Sequence, residues 1–309
     1  MGNPSSGGPI AARALNRAVR PLKAAVCHAI RSYRLVGFTS TKWVKTSDGF
    51  WMMLDPNQFI DREIVAAGGT WEPALRSIIK AAVKPGEVCI DVGAHKGYVS
   101  CLLAQAVGPT GRVLAFEPDP RAFEALAVNR DRNGFEQIEV FPVALGDKTG
   151  HIDLSLTQML GNTSSFPNYL AAAEVIGVIK VESKTLDSIL NENLSYGKKI
   201  TFIKIDAEGA ESLIFDGMQD ALTQHSPLIA MEVNFESLKA GGFDLGAIKH
   251  QLINAGYSNH FELVYKEVVP GVGFTKLRPI DITQERGLLI DTLLTRDDNS
   301  RLRIESFFA

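Results

Sequence analysis

Past residue 87 the hydrophobic pattern settles into short apolar runs alternating with stretches of helical spacing. Val88–Val92 is β-branched and apolar apart from Asp91, the composition of a strand covered on both faces. Tyr98–Val107 has helical periodicity, and Gly108-Pro109 ends it. Residues 113–116 form a second apolar strand that runs into Glu117, and Pro118-Asp119-Pro120 opens a helix reaching about Asn133. Residues 138–143 read as a third strand and Ile200–Ile205 as a fourth, the latter followed by a helix to Leu222. Residues 228–233 make a fifth strand, and residues 245–255 a helix that Gly256 stops. Residues 261–269 and 287–294 then pair antiparallel. This order predicts an α/β fold: a doubly wound, Rossmann-like, seven-stranded and mostly parallel sheet with a C-terminal antiparallel pair.

The flanking segments divide the chain further. Residues 43–60 alternate like a hairpin about Asp48-Gly49. Residues 61–67 start a helix that Gly68-Gly69 closes, and Trp71-Glu72-Pro73 opens another over 74–83 with proline in its first turn. These elements make a cap, 43–86, in front of a core domain, 87–295, and a loose charged tail, 296–309. Residues 151–156 and 178–181 read as strands and 183–190 as a short helix. The polar stretch 157–167 between them suits a lid or substrate loop as well as a segment with no role. Residues 1–42 form a basic arm, and the first 47 residues contain no Asp or Glu. Apolar positions between 10 and 36 line one helical face, broken at Pro21, which predicts an N-terminal helical extension. The preferred reading is an arm packed on the body or solvated. A surface helix on anionic lipid and a transit peptide are the competing ones.

Composition narrows the function classes. With 45% hydrophobic and 22% charged residues the chain has an ordinary soluble composition, and its net charge of −3 gives no argument for a nucleic-acid partner. Cys27, Cys89 and Cys101 have no metal-binding spacing and suit a reducing, cytoplasmic setting. No apolar run approaches the ~20 residues of a membrane span.

The candidate chemistry sits at the turn Gly93-Ala94-His95-Lys96-Gly97, where missing Cβ atoms let the backbone turn sharply and approach a ligand. Glu117 follows Gly97 by about 20 residues, the interval at which nucleotide-type folds place a carboxylate on ribose hydroxyls. A dinucleotide site would have G-x-G-x-x-G. Here the pattern is Asp91-x-Gly93-x-His95-x-Gly97, with an acid beside the loop that would repel a pyrophosphate. S-adenosylmethionine, with its ammonium, sulfonium and ribose and no phosphate, suits those residues better than NAD. A plain structural βαβ turn is the alternative.

Four motifs in order, D-V-G-A-H-K-G-Y-V-S, V-L-A-F-E-P-D-P, V-A-L-G-D and I-K-I-D-A-E-G-A-E, resemble those of the FkbM-type methyltransferases, over about residues 48–295. The resemblance implies a class I fold, S-adenosylmethionine as cofactor, and O-methylation of a hydroxyl on a sugar or secondary metabolite. It also implies cofactor contacts from Asp91, Gly93, Ala94, His95, Gly97, Glu117 and Pro118. The loop Ala144-Leu145-Gly146-Asp147 would cover the adenine, Asp147 either accepting from the adenine amino group or capping the turn. Glu72 either faces the cofactor's amino end or is a first-turn acid favoured by the helix dipole.

Asp206, at the end of the fourth strand, is the first candidate for the base that accepts the acceptor's proton, with Glu208 as support or second choice. His95 has the more suitable unperturbed pKa, but its place in the glycine loop favours a cofactor contact or a helix-start role. Asp206, Glu232 and Asn234 would be oxygen ligands for Mg²⁺, a reading ranked below metal-free catalysis. The alternatives to a methyltransferase are an NAD(P)-dependent oxidoreductase and a non-catalytic adaptor touching membrane surfaces through the basic arm.

Overall fold

The apolar runs assemble into one large mixed sheet, with helices packed on both faces. The computed structural model describes residues 40–161, 163–166, 174–192, 198–269, 272–283, 289–296, 301 and 303–308. Residues 1–39 of the basic arm, with its expected helix, lie outside them. Residues 40–309 make one compact unit.

The chain enters through a hairpin of β1 (Lys42–Lys45) and β2 (Trp51–Leu54), then α1 (Phe59–Ala66) and α2 (Pro73–Ala82). There follow β3 (Val88–Val92), α3 (Tyr98–Val107), β4 (Arg112–Phe116), α4 (Pro120–Asn133) and β5 (Ile138–Phe141). β6 (Ala144–Leu145), β7 (Gly150–Thr157) and β8 (Val175–Lys184) form a separate three-stranded sheet in the order β6-β8-β7. After α5 (Leu186–Glu192) come β9 (Ile200–Ile205), α6 (Glu211–Asp216), α7 (Gln219–His225) and β10 (Leu228–Asn234). The rest is α8 (Phe235–Ala240), α9 (Leu245–Asn254), β11 (Asn259–Val269), β12 (Val272–Pro279), β13 (Leu289–Thr295) and a 3₁₀ turn, Glu305–Phe307.

The large sheet has the order β12-β11-β13-β10-β9-β3-β4-β5. β10, β9, β3, β4 and β5 run parallel, and β13, β11 and β12 are joined antiparallel at one side. The expected pair of 261–269 with 287–294 is therefore present as β11 against β13. The count differs from the seven expected, because β12 adds an eighth strand at the edge. There Phe274 faces outward while Thr275 is buried, so polarity and burial run opposite and the alternation is masked. The helix expected over 183–190 begins later, since β8 continues to Lys184 and Thr185 Oγ1 accepts from Ser188 N at 3.0 Å to start α5.

Both faces of β3 are sealed. Ile78, Ile79 and Leu103 pack against Cys89, Val113 and Phe202 on one side. Phe215, Leu222 and Leu252 pack against Ile90, Leu114 and Ile203 on the other. Burial on this scale, at roughly 25 cal/mol per Å² of apolar surface, is what holds the strand ends in register for the site. In the expected loose tail, the described residues 303–308 are fastened to the body. Ile304 is fully buried, Arg303 pairs with Glu87 Oε1 at 2.8 Å, and the Phe308 ring meets Phe261 at 4.8 Å. Among the described residues no helix is long and apolar enough to cross a membrane.

Candidate active site

The carboxyl ends of β3, β4 and β9 meet at one cavity of about 260 Å³. Gly93, at φ 69°, turns the chain directly out of β3, and its N–H and that of Ala94 both donate to Phe116 O at 3.0 Å. A Cβ on Gly93 would lie 1.7 Å from Asp206 O, so the end of β9 crosses where any side chain would stand. Gly97, at φ 86°, opens α3, and a Cβ there would meet Leu126 Cγ at 2.9 Å. Gly97 thus serves helix packing and does not line the cavity.

Glu117 is 6% exposed and faces the cavity. His95 N donates to its Oε2 at 2.8 Å and Asp119 N to its Oε1 at 2.7 Å, so the main chain holds both oxygens in place. Burial, reinforced by neighbouring Asp119, pushes its pKa up to about 8. Pro118, Ala144 and Leu145 continue the wall. Asp147 does not reach it: β6 turns the chain into the second sheet and carries Asp147 to the surface beside Lys148, 3.7 Å away.

Asp91 also lies off the cavity wall. In register between Ala115 and Lys204, it is completely buried under the loop, where Ser100 Oγ donates to its Oδ2 at 2.5 Å. The expectation of direct cofactor contact from Asp91 is replaced by support from below. Lys204, which the sequence reading passed over, stands between Asp91 and the cavity. Its Nζ lies 3.8 Å from Asp91 Oδ1 and 3.1 Å from Asp206 Oδ2, and donates to Gly93 O at 3.0 Å. A lysine inside the apolar run Ile200–Ile205 was the available signal, since a buried cation demands partners.

Beyond β9 the segment Asp206-Ala207-Glu208-Gly209 is pinned by Glu211, whose Oε1 accepts from Ala207 N and Gly209 N, both at 3.2 Å. Glu208 adopts φ 49° and Gly209 φ 100°, so the chain doubles back and aims Asp206 and Glu208 into the cavity. Carboxylate oxygens of Asp206, Glu208 and Glu232 come within 4.8 Å of one another. Asn234, from the proposed Mg²⁺ set, donates to Glu208 Oε2 at 3.5 Å and caps α8 through Glu236 N and Ser237 N. Glu72 caps nothing: at φ 44° it opens α2 without a side-chain cap bond, lines the cavity, and accepts from Trp71 Nε1 at 3.0 Å. Burial raises its pKa to about 7.

His95 shows a division of labour. Its main chain serves Glu117, while its ring lines the cavity with a buried Nε2 that has no hydrogen-bond partner among the described residues. Burial, with repulsion from Lys96 and Lys204, drops its pKa to about 3, so the ring is neutral at neutral pH and a weak base. Gly161, Thr163, Ser164 and Ser165 close the cavity from the polar loop. That loop is anchored by Ser155 N to Ser164 O at 2.9 Å and by Leu160 N to Gln58 Oε1 at 2.7 Å.

The pocket acids set a pH dependence. Glu72, Glu117, Glu232 and Asp291 all have pKa values raised above their unfolded ones, burial being the largest cause for each. Between the unfolded and folded values the folded chain holds more protons than the unfolded one, so stability falls as pH rises. The apo protein is expected to lose melting temperature as pH rises from about 5 to 9 in differential scanning calorimetry. A flat profile over that interval would show these acids to be solvated.

Such a site suits S-adenosylmethionine: a buried carboxylate is held by main-chain N–H groups at the end of β4, beside a glycine turn that lines the same cavity. Fold and site together define an S-adenosylmethionine-dependent methyltransferase domain. Residues 91–258, more than half of the chain, match the model of the methyltransferase FkbM domain, and the chain belongs to that family. It is similar to the hexuronic acid methyltransferase AglP of Haloferax volcanii, 27% identical over 49% of this chain and 57% of that protein. It is also similar to a protein-L-isoaspartate O-methyltransferase of Aeropyrum pernix, 42% identical over 21% of this chain and 25% of that protein. The chain thus spans a quarter to just over half the length of these curated relatives. Among solved structures, an FkbM methyltransferase from Methylobacillus flagellatus aligns over 76% of this chain and 59% of its own, at 16% identity and a TM-score of 0.40.

The expectation that Glu117 accepts from the ribose hydroxyls gives a direct prediction. Glu117→Gln should weaken S-adenosylhomocysteine binding about tenfold or more in calorimetry, because an acceptor facing buried N–H donors is lost. Unchanged affinity would move the ribose elsewhere.

Proposed function

We propose that the chain O-methylates a hydroxyl of a sugar or secondary metabolite, with Asp206 as the base and Glu208 supporting it. The observation that carries this reading is the placement of Asp206: at the end of β9, partly exposed to the cavity, with one oxygen held by Lys204 at 3.1 Å. The similarity to a hexuronic acid methyltransferase favours a sugar among the possible acceptors.

The cofactor, when bound, supplies a methyl on a sulfonium and a neutral thioether as leaving group. The protein therefore has to position the acceptor and receive a proton. Glu117 and the main chain at Gly93 and Ala94 hold the cofactor side. Asp206 would take the proton of the acceptor hydroxyl, leaving its oxygen as the nucleophile for the methyl group that the bound cofactor would supply. Gly161 and Ser164, with the ring of His95, keep water from the other side of the cavity. The buried free thiols of Cys89 and Cys101 favour a reducing compartment.

The reading is metal-free. A dication among Asp206, Glu208 and Glu232 would face the Lys204 ammonium, already 3.1 Å from Asp206 Oδ2. The test is a screen of labelled S-adenosylmethionine against glycosides, polyketide alcohols and lipid-linked sugars, run with EDTA and with Mg²⁺. Transfer to a hydroxyl at equal rate in both is expected. Transfer that EDTA abolishes and Mg²⁺ restores would hand the acid cluster to a metal, and methylation only of nitrogen or carbon would reject O-methylation.

A further inference from the structure

S-adenosylmethionine ends in an amino acid, so a buried site that holds it must partner an ammonium and a carboxylate together. We propose that Lys204 binds the carboxylate of the cofactor's amino-acid end, while Glu72, across the same corner of the cavity, takes its ammonium. The inference rests on the ribose lying on Glu117, and it extends that placement along the sheet.

Topology gives the direction. β4, which carries Glu117 at its end, and β9, which carries Lys204, flank β3 on opposite sides. A cofactor with its ribose at β4 that crosses over the Gly93 loop brings its amino-acid end above β9. Lys204 and Glu72 both line the cavity there, and Asp206 lies beside them.

Charge points the same way. Among the described residues lining the cavity the cations are Lys96 and Lys204. Lys96 is committed: its ammonium pairs with Asp61, and both side chains are buried. An ammonium has three donors. Lys204 uses two of them well, on Gly93 O at 3.0 Å and Asp206 Oδ2 at 3.1 Å, whereas Val92 O is 3.5 Å away. A lysine serving only as counter-ion for Asp91 would close on that carboxylate. Instead Asp91 Oδ1 is 3.8 Å distant and has no hydrogen-bond partner among the described residues, so Nζ is displaced toward the cavity. Around this single cation stand Asp91, Asp206, Glu72 and Glu232. A zwitterion suits such a corner, since its ammonium meets the surplus acids and its carboxylate meets the lysine. Glu72 is preset for the first task, its side chain held by Trp71 Nε1 at 3.0 Å.

The test is calorimetry on the full chain with three probes: S-adenosylhomocysteine, its decarboxylated analogue, and 5′-methylthioadenosine, which lacks the amino acid. Wild type should bind S-adenosylhomocysteine at least about tenfold more tightly than the decarboxylated analogue. Lys204→Met should bind the two equally, and Glu72→Gln should keep the preference for the carboxylate. If Lys204→Met does not fold, because Asp91 is left without its counter-ion, Lys204→Met combined with Asp91→Asn removes that stranded charge and answers the same question. Lys204 variants that keep the wild-type preference, or a wild type that shows none, would overturn the assignment. Failure of every adenosyl probe to bind wild type would instead overturn the placement of the cofactor itself.

Discussion

Gly93→Ala is expected to abolish S-adenosylhomocysteine binding and to destabilise the fold by about 3–5 kcal/mol. Two independent effects act at this position. The residue sits at φ 69°, where a side chain is strained, and the added Cβ would fall 1.7 Å from Asp206 O. No rotamer change relieves the second effect, because both partners are main chain. The loop must lift or β9 must shift, and either movement separates the glycine turn from Asp206 and Lys204. Calorimetric titration together with chemical denaturation reads both consequences. A variant that binds normally with unchanged stability would show that the close crossing of β3 and β9 does not exist.

Asp206→Asn should leave S-adenosylhomocysteine affinity within a few fold and slow methyl transfer about 10²–10⁴-fold. The amide keeps the shape and can still accept from Lys204, so the pocket is preserved while the proton acceptor is lost. Single-turnover transfer to a hydroxyl acceptor from the screen is the measurement. Loss of cofactor affinity with normal turnover would make Asp206 a cofactor ligand and pass the base role to Glu208, which shares the same turn.

The parallel core was legible because its strands are apolar on both faces and its turns carry glycine where φ is positive. Glu117 was legible for a similar reason: an acid closing an apolar strand at a fixed distance from a glycine loop has few other uses. Asp91 was read half correctly. Its chemistry was visible, but which side of the loop it faced depends on the pleat of β3, and that register comes only with its neighbours Lys204 and Ala115. A lysine in the largely apolar β9 signals a buried cation, but its partners, Asp91 on β3 and Asp206 just past β9, come only with the assembled sheet. Asp147 was placed by loop order alone, and the turn of β6 into a second sheet reversed its direction. The charged end of the chain looked solvent-borne, yet Arg303 and Ile304 find their partners on the far side of the fold, a pairing no local pattern encodes.

The small sheet β6-β8-β7 joins two parts of the cavity wall. It carries Ala144 and Leu145 in one part of that wall, and the Ser155–Ser164 bridge ties Ser164 of the polar loop to it in another. A change of pairing within this small sheet is therefore felt at two places in the cavity wall at once, at Ala144 and Leu145 and at Ser164.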